Sequence, residues 1–168
     1  MTMRIYVASL SDYNAGRYHG IWIDLEECNF DPDIVQEKID KMLEDSKEEV
    51  AEEWAIHDYE MPFPVDEATN LETLCEIAEK VDEHGEAFAA YVKYVGIEYL
   101  DPEEFEEKYQ GEFDSQEDFA ESLFNQSFRV PESIQNYIDY EKYAHDLFSD
   151  EFFSIDSKNH TVFVFSNR

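Results

Sequence analysis

Two histidine-aspartate pairs are the side chains whose types and order could support metal-dependent or acid-base chemistry. His57-Asp58 has the order used by metal-dependent phosphohydrolases, but no further histidine and aspartate stand in a suitable context around it. We therefore interpret it as a polar pair at the end of a strand. His145-Asp146 falls near the predicted end of an amphipathic helix, where a protonated histidine complements the helix dipole.

Other catalytic and ligand-binding patterns are missing from the sequence. It contains no HExxH, no GxSxG, no glycine-rich phosphate loop and no EF-hand spacing, and it has only five glycines. Cys28 and Cys75 are far apart, so neither a zinc site nor a disulfide framework is indicated and a reducing cytoplasm is expected. Among 42 carboxylates some pair always lies close, so pairing has no diagnostic value. We assign no catalytic residue, no metal and no cofactor.

The charge balance is the strongest signal in the chain. Asp and Glu number 42 against 12 Lys and Arg, which gives a formal net charge of -30. Direct binding to nucleic acid or to an anionic membrane is disfavoured, since lysine and arginine supply the attraction in both cases. Hydrophobic residues make up 43% and aromatic residues 15%, so the chain is expected to fold. We therefore predict a basic partner.

The elements that would carry this charge begin with a small sheet. Residues 4–10 and 20–25 read as strands joined by a turn at 11–16, and residues 53–59 as a third strand. Between them Pro32, preceded by Asp31 as a cap, opens a helix. The pattern predicts a β-β-α-β unit.

Helices follow a stiff connector at residues 61–64, which contains two prolines. Two apolar stripes separated by His84-Gly85 predict a helical middle. Helices are then predicted from Asp101-Pro102 through Tyr109, from a cap at Ser115, and from Pro131. In the last of these, Ile134, Tyr137, Ile138 and Ala144 share one face.

Alternation at residues 153–155 and 162–165 predicts a closing hairpin. The expected fold is therefore α+β, an elongated chain of three small domains: a β-β-α-β domain (1–61), a helical domain (62–103) and a C-terminal α+β domain (104–168). Elongation is favoured because it spreads the like charges. No segment approaches 18 apolar residues and the N-terminus lacks a signal-peptide pattern, so the protein is expected neither to span a membrane nor to leave the cell.

The acid lies within the predicted folded elements and is not confined to a tail. Residues 24–60 hold 15 acidic side chains against three basic ones, and residues 101–121 hold ten against one. An ordinary solvated helix face mixes both signs. At one charge per ~1.7 Å of B-DNA, the net charge matches roughly 50 Å of duplex, or about 15 base pairs. The candidate phosphate-mimicking acids are Glu37, Asp40, Glu44, Asp45, Glu48, Glu49, Glu52, Glu53, Asp101, Glu103, Glu104, Glu106, Glu107, Glu112, Asp114, Glu117, Asp118 and Glu121.

Three separated segments resemble the antirestriction proteins of the ArdA family, which conjugative plasmids and transposons carry in bacteria. They are residues 5–22 (Ile-Tyr-Val-Ala-Ser-Leu, then Tyr-Asn and Gly-Ile-Trp), residues 55–63 (Ala-Ile-His-Asp-Tyr-Glu-Met-Pro-Phe) and residues 130–140 (Val-Pro-Glu-Ser-Ile-Gln-Asn-Tyr-Ile-Asp-Tyr). The acidic stretch 44–53 is longer than the family pattern, so the resemblance does not define how the charges are arranged along it.

The resemblance implies an elongated, curved molecule that dimerises through its C-terminal part and imitates bent B-form DNA. It also implies a cytoplasmic inhibitor in a bacterial host, not an enzyme, that occupies the DNA-binding groove in the methyltransferase core of Type I restriction-modification enzymes. The family's antirestriction motif, near the dimer contact, corresponds to Val130, Pro131, Glu132, Ser133, Ile134, Tyr137, Ile138, Asp139 and Tyr140. We interpret the apolar members as structural residues whose packing buries the helix itself or its partner.

Three other readings of the acidity remain open. The protein could bind a different basic DNA-binding protein, such as a polymerase, a repressor or a histone-like factor. It could be a halophile-type domain whose charge is an adaptation to salt, or an enzyme or metal-ion binder that uses clustered carboxylates.

Overall fold

The computed structural model describes residues 1–168 and divides into two compact units, Met1–Glu98 and Tyr99–Arg168. Each unit contains helices and one three-stranded antiparallel sheet, so the predicted α+β class is confirmed. The finer scheme of three domains stays a prediction.

The first unit is a sheet covered by helices. Its elements in chain order are β1 (Arg4–Ser9), α1 (Leu10–Asn14), β2 (Gly20–Asp24), α2 (Pro32–Glu44), β3 (Trp54–Glu60), α3 (Leu71–His84) and α4 (Glu86–Val95). The strand order is β2-β1-β3, with both neighbours antiparallel to the central strand. The predicted β-β-α-β unit is therefore confirmed.

Alternation decides which face of this sheet is buried. Ile5 and Val7 of β1 are fully buried, whereas the alternate residues Arg4 and Tyr6 are only half-buried. Helix α2 contacts β1 and β2 and contributes the buried Ile39. The carboxylates of α2 consequently point away from the core.

Short-range caps set the ends of these helices as the sequence predicts. The Asp31 carboxylate accepts a hydrogen bond from the Asp33 amide at 2.9 Å, with Pro32 in the first helical turn. Asn70 caps α3 in the same way. Gly85 has φ 69°, which ends α3 and separates it from α4.

The prediction that the whole of residues 11–16 forms a turn is wrong. The segment contains the short helix α1, opened by Ser9, whose hydroxyl accepts a hydrogen bond from the Asp12 amide at 3.3 Å. Its Asn and Gly residues indicated a turn correctly, but only at the far end, where Gly16 has φ 78°.

The second unit packs three helices and a short helical turn with a second sheet. Its elements are α5 (Pro102–Lys108), β4 (Tyr109–Phe113), α6 (Gln116–Ser127), α7 (Glu132–Gln135), α8 (Tyr140–Asp150), β5 (Phe152–Asp156) and β6 (Val162–Ser166). The strand order is β4-β6-β5, all antiparallel. The predicted C-terminal hairpin is confirmed as β5 and β6.

Strand β4 was missed by the sequence prediction, which continued a helix through Tyr109. Helix α5 ends at Lys108 instead, and the chain pairs at once with β6. Tyr109 stacks on Phe105 at 5.0 Å and lies 5.3 Å from the ring of Phe165. The strand is thus selected by an aromatic cluster assembled from distant residues, which local periodicity does not report.

The single helix predicted from Pro131 is also wrong. The chain forms the one-turn helix α7, breaks, and starts α8 at Tyr140, with the Asp139 carboxylate accepting from the Lys142 amide at 2.9 Å. Ala144 therefore belongs to a different helix from Ile134. The cap at Asp139 restarts the helix, which divides the predicted apolar face.

Candidate partner-binding surface

The 18 predicted carboxylates lie almost entirely on the protein surface. Seventeen of them are exposed and one, Glu48, is half-buried. Those on α2, α5 and α6 alternate with core positions such as Ile39, Phe105 and Phe119. The apolar stripes therefore orient the carboxylates toward solvent, where a basic partner can reach them.

Several of these acids also perform local structural tasks. Asp101 caps α5 through the Glu103 amide at 3.0 Å, and Asp118 accepts from the Ser115 hydroxyl at 2.6 Å. Glu104 pairs with Lys108 at 2.6 Å, one helical turn away. These contacts fix the orientation of the carboxylates, and the lysine neutralises part of the local charge.

The acidic stretch between α2 and β3, residues 45–53, is held against α1. The Ser46 hydroxyl donates to the Asp12 carboxylate, the Ser11 hydroxyl donates to the Val50 carbonyl at 3.0 Å, and the Leu10 amide donates to the Glu53 carbonyl at 3.0 Å. We call this set of contacts the α1 clamp. It gives a defined position to a segment without helix or strand that carries five of the predicted acids.

Ion pairs complete the clamp around a buried carboxylate. Asp12 is 1% exposed and accepts from Arg17 Nε at 3.3 Å, while the same guanidinium pairs with Glu48. The hydrogen bond from Ser46 holds the pKa of the Asp12 carboxyl below its ordinary value, and the bonds from Ser9 and Arg17 act in the same direction, against the opposing effect of burial. Asp12 therefore stays ionised at neutral pH.

Between α2 and the clamped segment runs an open groove of about 580 Å³. Its lining is dominated by carboxylates, namely Asp40, Glu44, Glu48, Glu49 and Glu52. The end of α2 and the segment that follows it thus present acid to the same space. This concentration of negative charge attracts lysine and arginine side chains.

The sequence matches a known protein family over most of its length. Residues 5–160 match the family model described as Antirestriction protein (ArdA). The chain belongs to this family. No curated protein matches the chain.

Membership of the ArdA family gives the chain its broad function, which is antirestriction. ArdA proteins are inhibitors rather than enzymes, and restriction-modification enzymes are the proteins on which they act. All three segments that carried the resemblance lie inside the matched range. None of the helices combines the length and the apolar character that crossing a bilayer requires.

The ArdA-like motif at residues 130–140 lies on the surface of the second unit. Helix α7 has no buried residue, Ile134 is 47% exposed and Tyr137 is 85% exposed. Phe128, just before the motif, is 52% exposed, and Ile138 is half-buried. Ile134 and Tyr137 are therefore not covered within one chain, which leaves burial by a partner as the remaining part of our interpretation of these two residues.

Neither histidine pair belongs to a group of side chains that could hold a metal ion. His145 and Asp146 are both highly exposed, 3.7 Å apart. His145 also lies in the middle of α8 and not in its last turn, so the predicted role at the helix dipole is wrong. Among the side chains of this ArdA protein, no group of three or more His, Cys, Asp or Glu residues is arranged to hold a metal ion.

His57 and Asp58 occupy a cleft on the first unit that sequence reasoning did not identify. His57 makes an edge contact with the ring of Tyr13, with centroids 4.8 Å apart. The α1 clamp was also missed, since Asp12 and Ser46 are 34 positions apart. The only sequence signal for either feature was the presence of Tyr13 and His57 in the ArdA-like segments.

Proposed function

We propose that this ArdA protein occupies the DNA-binding groove of the methyltransferase core of Type I restriction-modification enzymes, with its carboxylates in place of DNA phosphates. The observation that carries the proposal is the exposure of 17 of the 18 predicted acids on folded elements of a chain with net charge -30. Such a surface matches the lysine and arginine side chains that otherwise contact the DNA backbone.

Positioned acids serve this competition better than a disordered acidic tail. A carboxylate whose backbone is already ordered loses less conformational entropy on binding than one on a flexible chain. The helices hold most of the acids, and the α1 clamp holds the segment between α2 and β3. Binding therefore begins from a preformed arrangement of charge.

The proposed mimicry involves phosphates and not base edges. Contacts to phosphates fix position without reading sequence, whereas contacts to base edges specify it. Inhibition should consequently be independent of the recognition sequence of the target enzyme. It should weaken with added salt, because ion pairing supplies most of the attraction.

The protein is also proposed to act as a homodimer, joined through the region around α7. Phe128, Ile134 and Tyr137 expose apolar and aromatic surface there, and contiguous exposed apolar surface is typical of interaction sites. A dimer doubles the length of DNA that the acids can imitate. An elongated, curved dimer would match bent B-form DNA.

A DNA competition experiment tests the proposal. The purified protein is titrated into a Type I methyltransferase core bound to a fluorescently labelled duplex, at low and at physiological ionic strength. We expect stoichiometric release of the duplex, with a weaker effect at the higher salt concentration. Two duplexes with different recognition sequences, each with its cognate core, provide the control for sequence independence.

The alternatives predict different results. If the folded protein releases no DNA at low salt, mimicry toward this enzyme class is wrong and another basic DNA-binding protein becomes the better candidate. If the protein folds only at high salt, its acidity is an adaptation to salt. Loss of secondary structure at low ionic strength, followed by circular dichroism, would reveal that case.

A further inference from the structure

The segment 55–63 is one of the two ArdA-like segments of the first unit, yet diffuse charge mimicry does not account for the aromatic rings of His57 and Tyr59 within it. The structure places these two rings at an open cleft of about 550 Å³. Ile56 and Val65, which line it, are 4% and 7% exposed and form an apolar floor. The cleft is therefore a shaped feature of the sheet edge.

A bulge in β3 shapes the cleft. Across the β1–β3 ladder Tyr6 pairs with Asp58 and Val7 pairs with Ile56, which leaves His57 as an extra residue without a partner. A bulge of this kind locally re-aims the side chain and is over-represented next to functional sites. Here it brings the His57 ring against Tyr13, with centroids 4.8 Å apart and ring planes at 79°.

Aromatic rings form the sides of the cleft. Tyr13 is 52% exposed and Tyr59 is 38% exposed, and both line the cleft with His57. Exposed aromatic faces carry a negative quadrupole that attracts cations. These rings therefore offer a cationic partner a cation–π contact, which carboxylates alone do not provide.

Carboxylates surround the same opening. Asp58, Asp66 and Glu67 line it and are exposed. The Ile56 amide donates to the Glu67 carbonyl at 3.1 Å, and the Asp66 amide donates to the Thr69 hydroxyl at 3.0 Å. The acidic rim is thus tied to the strand and to its own loop.

Arginine is the side chain that suits this combination best. Its planar guanidinium stacks on aromatic rings and donates to carboxylates at the same time, whereas the lysine ammonium is a point charge. The same sheet already shows this pairing internally. The Arg4 guanidinium lies 4.8 Å from the Trp22 ring centroid and donates to both oxygens of Glu60, at 2.7 and 2.8 Å.

We infer that the cleft formed by Tyr13, the bulged residues 56–59 and residues 65–67 receives an arginine side chain of the basic partner. This inference rests on the proposed function, because the partner's DNA-binding groove supplies the arginine. The cleft gives one localised anchor within an interface in which most acids each contribute little. It also gives His57 and Tyr59 of segment 55–63 a role in binding.

The test uses substitutions that leave the net charge unchanged. Tyr13→Leu removes the aromatic ring but keeps an apolar side chain, and Tyr13→Phe keeps the ring. Tyr18→Leu is the matched control, since Tyr18 is 93% exposed in the same unit and lies outside the cleft. In the DNA competition assay we expect Tyr13→Leu to be about ten-fold less potent, with Tyr13→Phe and Tyr18→Leu like the parent protein.

Equal potency of Tyr13→Leu and Tyr18→Leu would overturn the inference while leaving the proposed function intact. A ten-fold loss in Tyr13→Phe would also overturn it, because the ring would then not be the active feature. Circular dichroism of each variant verifies folding before potency is compared.

A direct measurement separates the cleft from the choice of enzyme. Tetra-arginine and tetra-lysine peptides are titrated into the labelled protein at physiological salt and amide shifts are followed by NMR. We expect the largest shifts at residues 56–59 and 65–67, stronger with tetra-arginine and diminished in Tyr13→Leu. Shifts spread evenly over the acidic helices, or equal for both peptides, would refute the arginine cleft. Cleft-specific shifts without DNA release would retain the cleft and reject the proposed function.

Discussion

Replacing Ser46 with alanine should release the acidic segment from the α1 clamp without changing the charge of the protein. The Ser46 hydroxyl donates to Asp12 and accepts from the Glu48 amide at 3.0 Å, so the substitution removes two hydrogen bonds. One of them has a charged acceptor. Because Ser46 is only part-buried and water replaces some of the loss, we expect a local cost of about 2 kcal/mol.

This cost has a directly measurable consequence. A local free-energy change of about 2 kcal/mol corresponds to a roughly 30-fold shift in the opening equilibrium. Amide hydrogen exchange at Glu48 should therefore accelerate by about that factor, with α3 unaffected. Ser127→Ala, at the exposed end of α6, is a matched control that should leave exchange at Glu48 unchanged.

The same variant connects the clamp to function. A loosened segment must be ordered again on binding, so potency in the DNA competition assay should fall by less than ten-fold, because the helical acids remain in place. Unchanged exchange at Glu48 in Ser46→Ala would refute the reasoning, since the clamp would then not depend on this hydroxyl. Faster exchange with unchanged potency would show that the segment lies outside the binding surface.

Four further outcomes are expected. Because the pKa of Asp12 is lowered, the clamp is fully stable above the ordinary carboxyl pKa of 3.8 and is lost as the pH falls through the lowered pKa. Amide hydrogen exchange at residues 46–53, corrected for intrinsic rates, should therefore accelerate only in acid. Glu104→Gln alone should change DNA competition by less than about two-fold, whereas neutralising the ten acids of residues 101–121 together should abolish it. Tyr137→Arg should raise the dimer dissociation constant by at least about ten-fold in analytical ultracentrifugation, and an unchanged value would place the dimer contact elsewhere. Phe165→Ala, at a fully buried ring 5.2 Å from Phe153, should lower the free energy of unfolding by about 3–5 kcal/mol in urea denaturation, and a loss below about 1 kcal/mol would contradict its role in the core.

Local signals predicted much of the architecture. Asp31 and Ser115 begin helices where the sequence placed them, because a cap involves only the next few residues. The solvent-facing position of the acids on α2 and α6 also followed from helical periodicity. The family assignment is confirmed by the match over residues 5–160. It could be made from the sequence because three ordered segments carry more information than the charge alone.

Two helix predictions failed, one because a distant contact overrides a local preference and one because a local cap was overlooked. Tyr109 continues a helical pattern, but pairing with β6 and stacking on Phe105 place it in β4. The apolar stripe after Pro131 continues across Asp139, yet the cap there begins a new helix. At Tyr109 the tertiary packing decides between competing local conformations, whereas at Asp139 the decision is local, because the carboxylate accepts from the Lys142 amide.

The sequence by itself determined the net charge and most helix and strand positions, because these depend on composition and on residues close together in the chain. Only the tertiary structure decided which acids are held in place and where a localised anchor can form. Asp12 meets Ser46 across 34 positions, and Tyr13 meets His57 across a strand bulge. Such contacts form only when folding brings separate segments together, and their geometry depends on the packing of the whole unit.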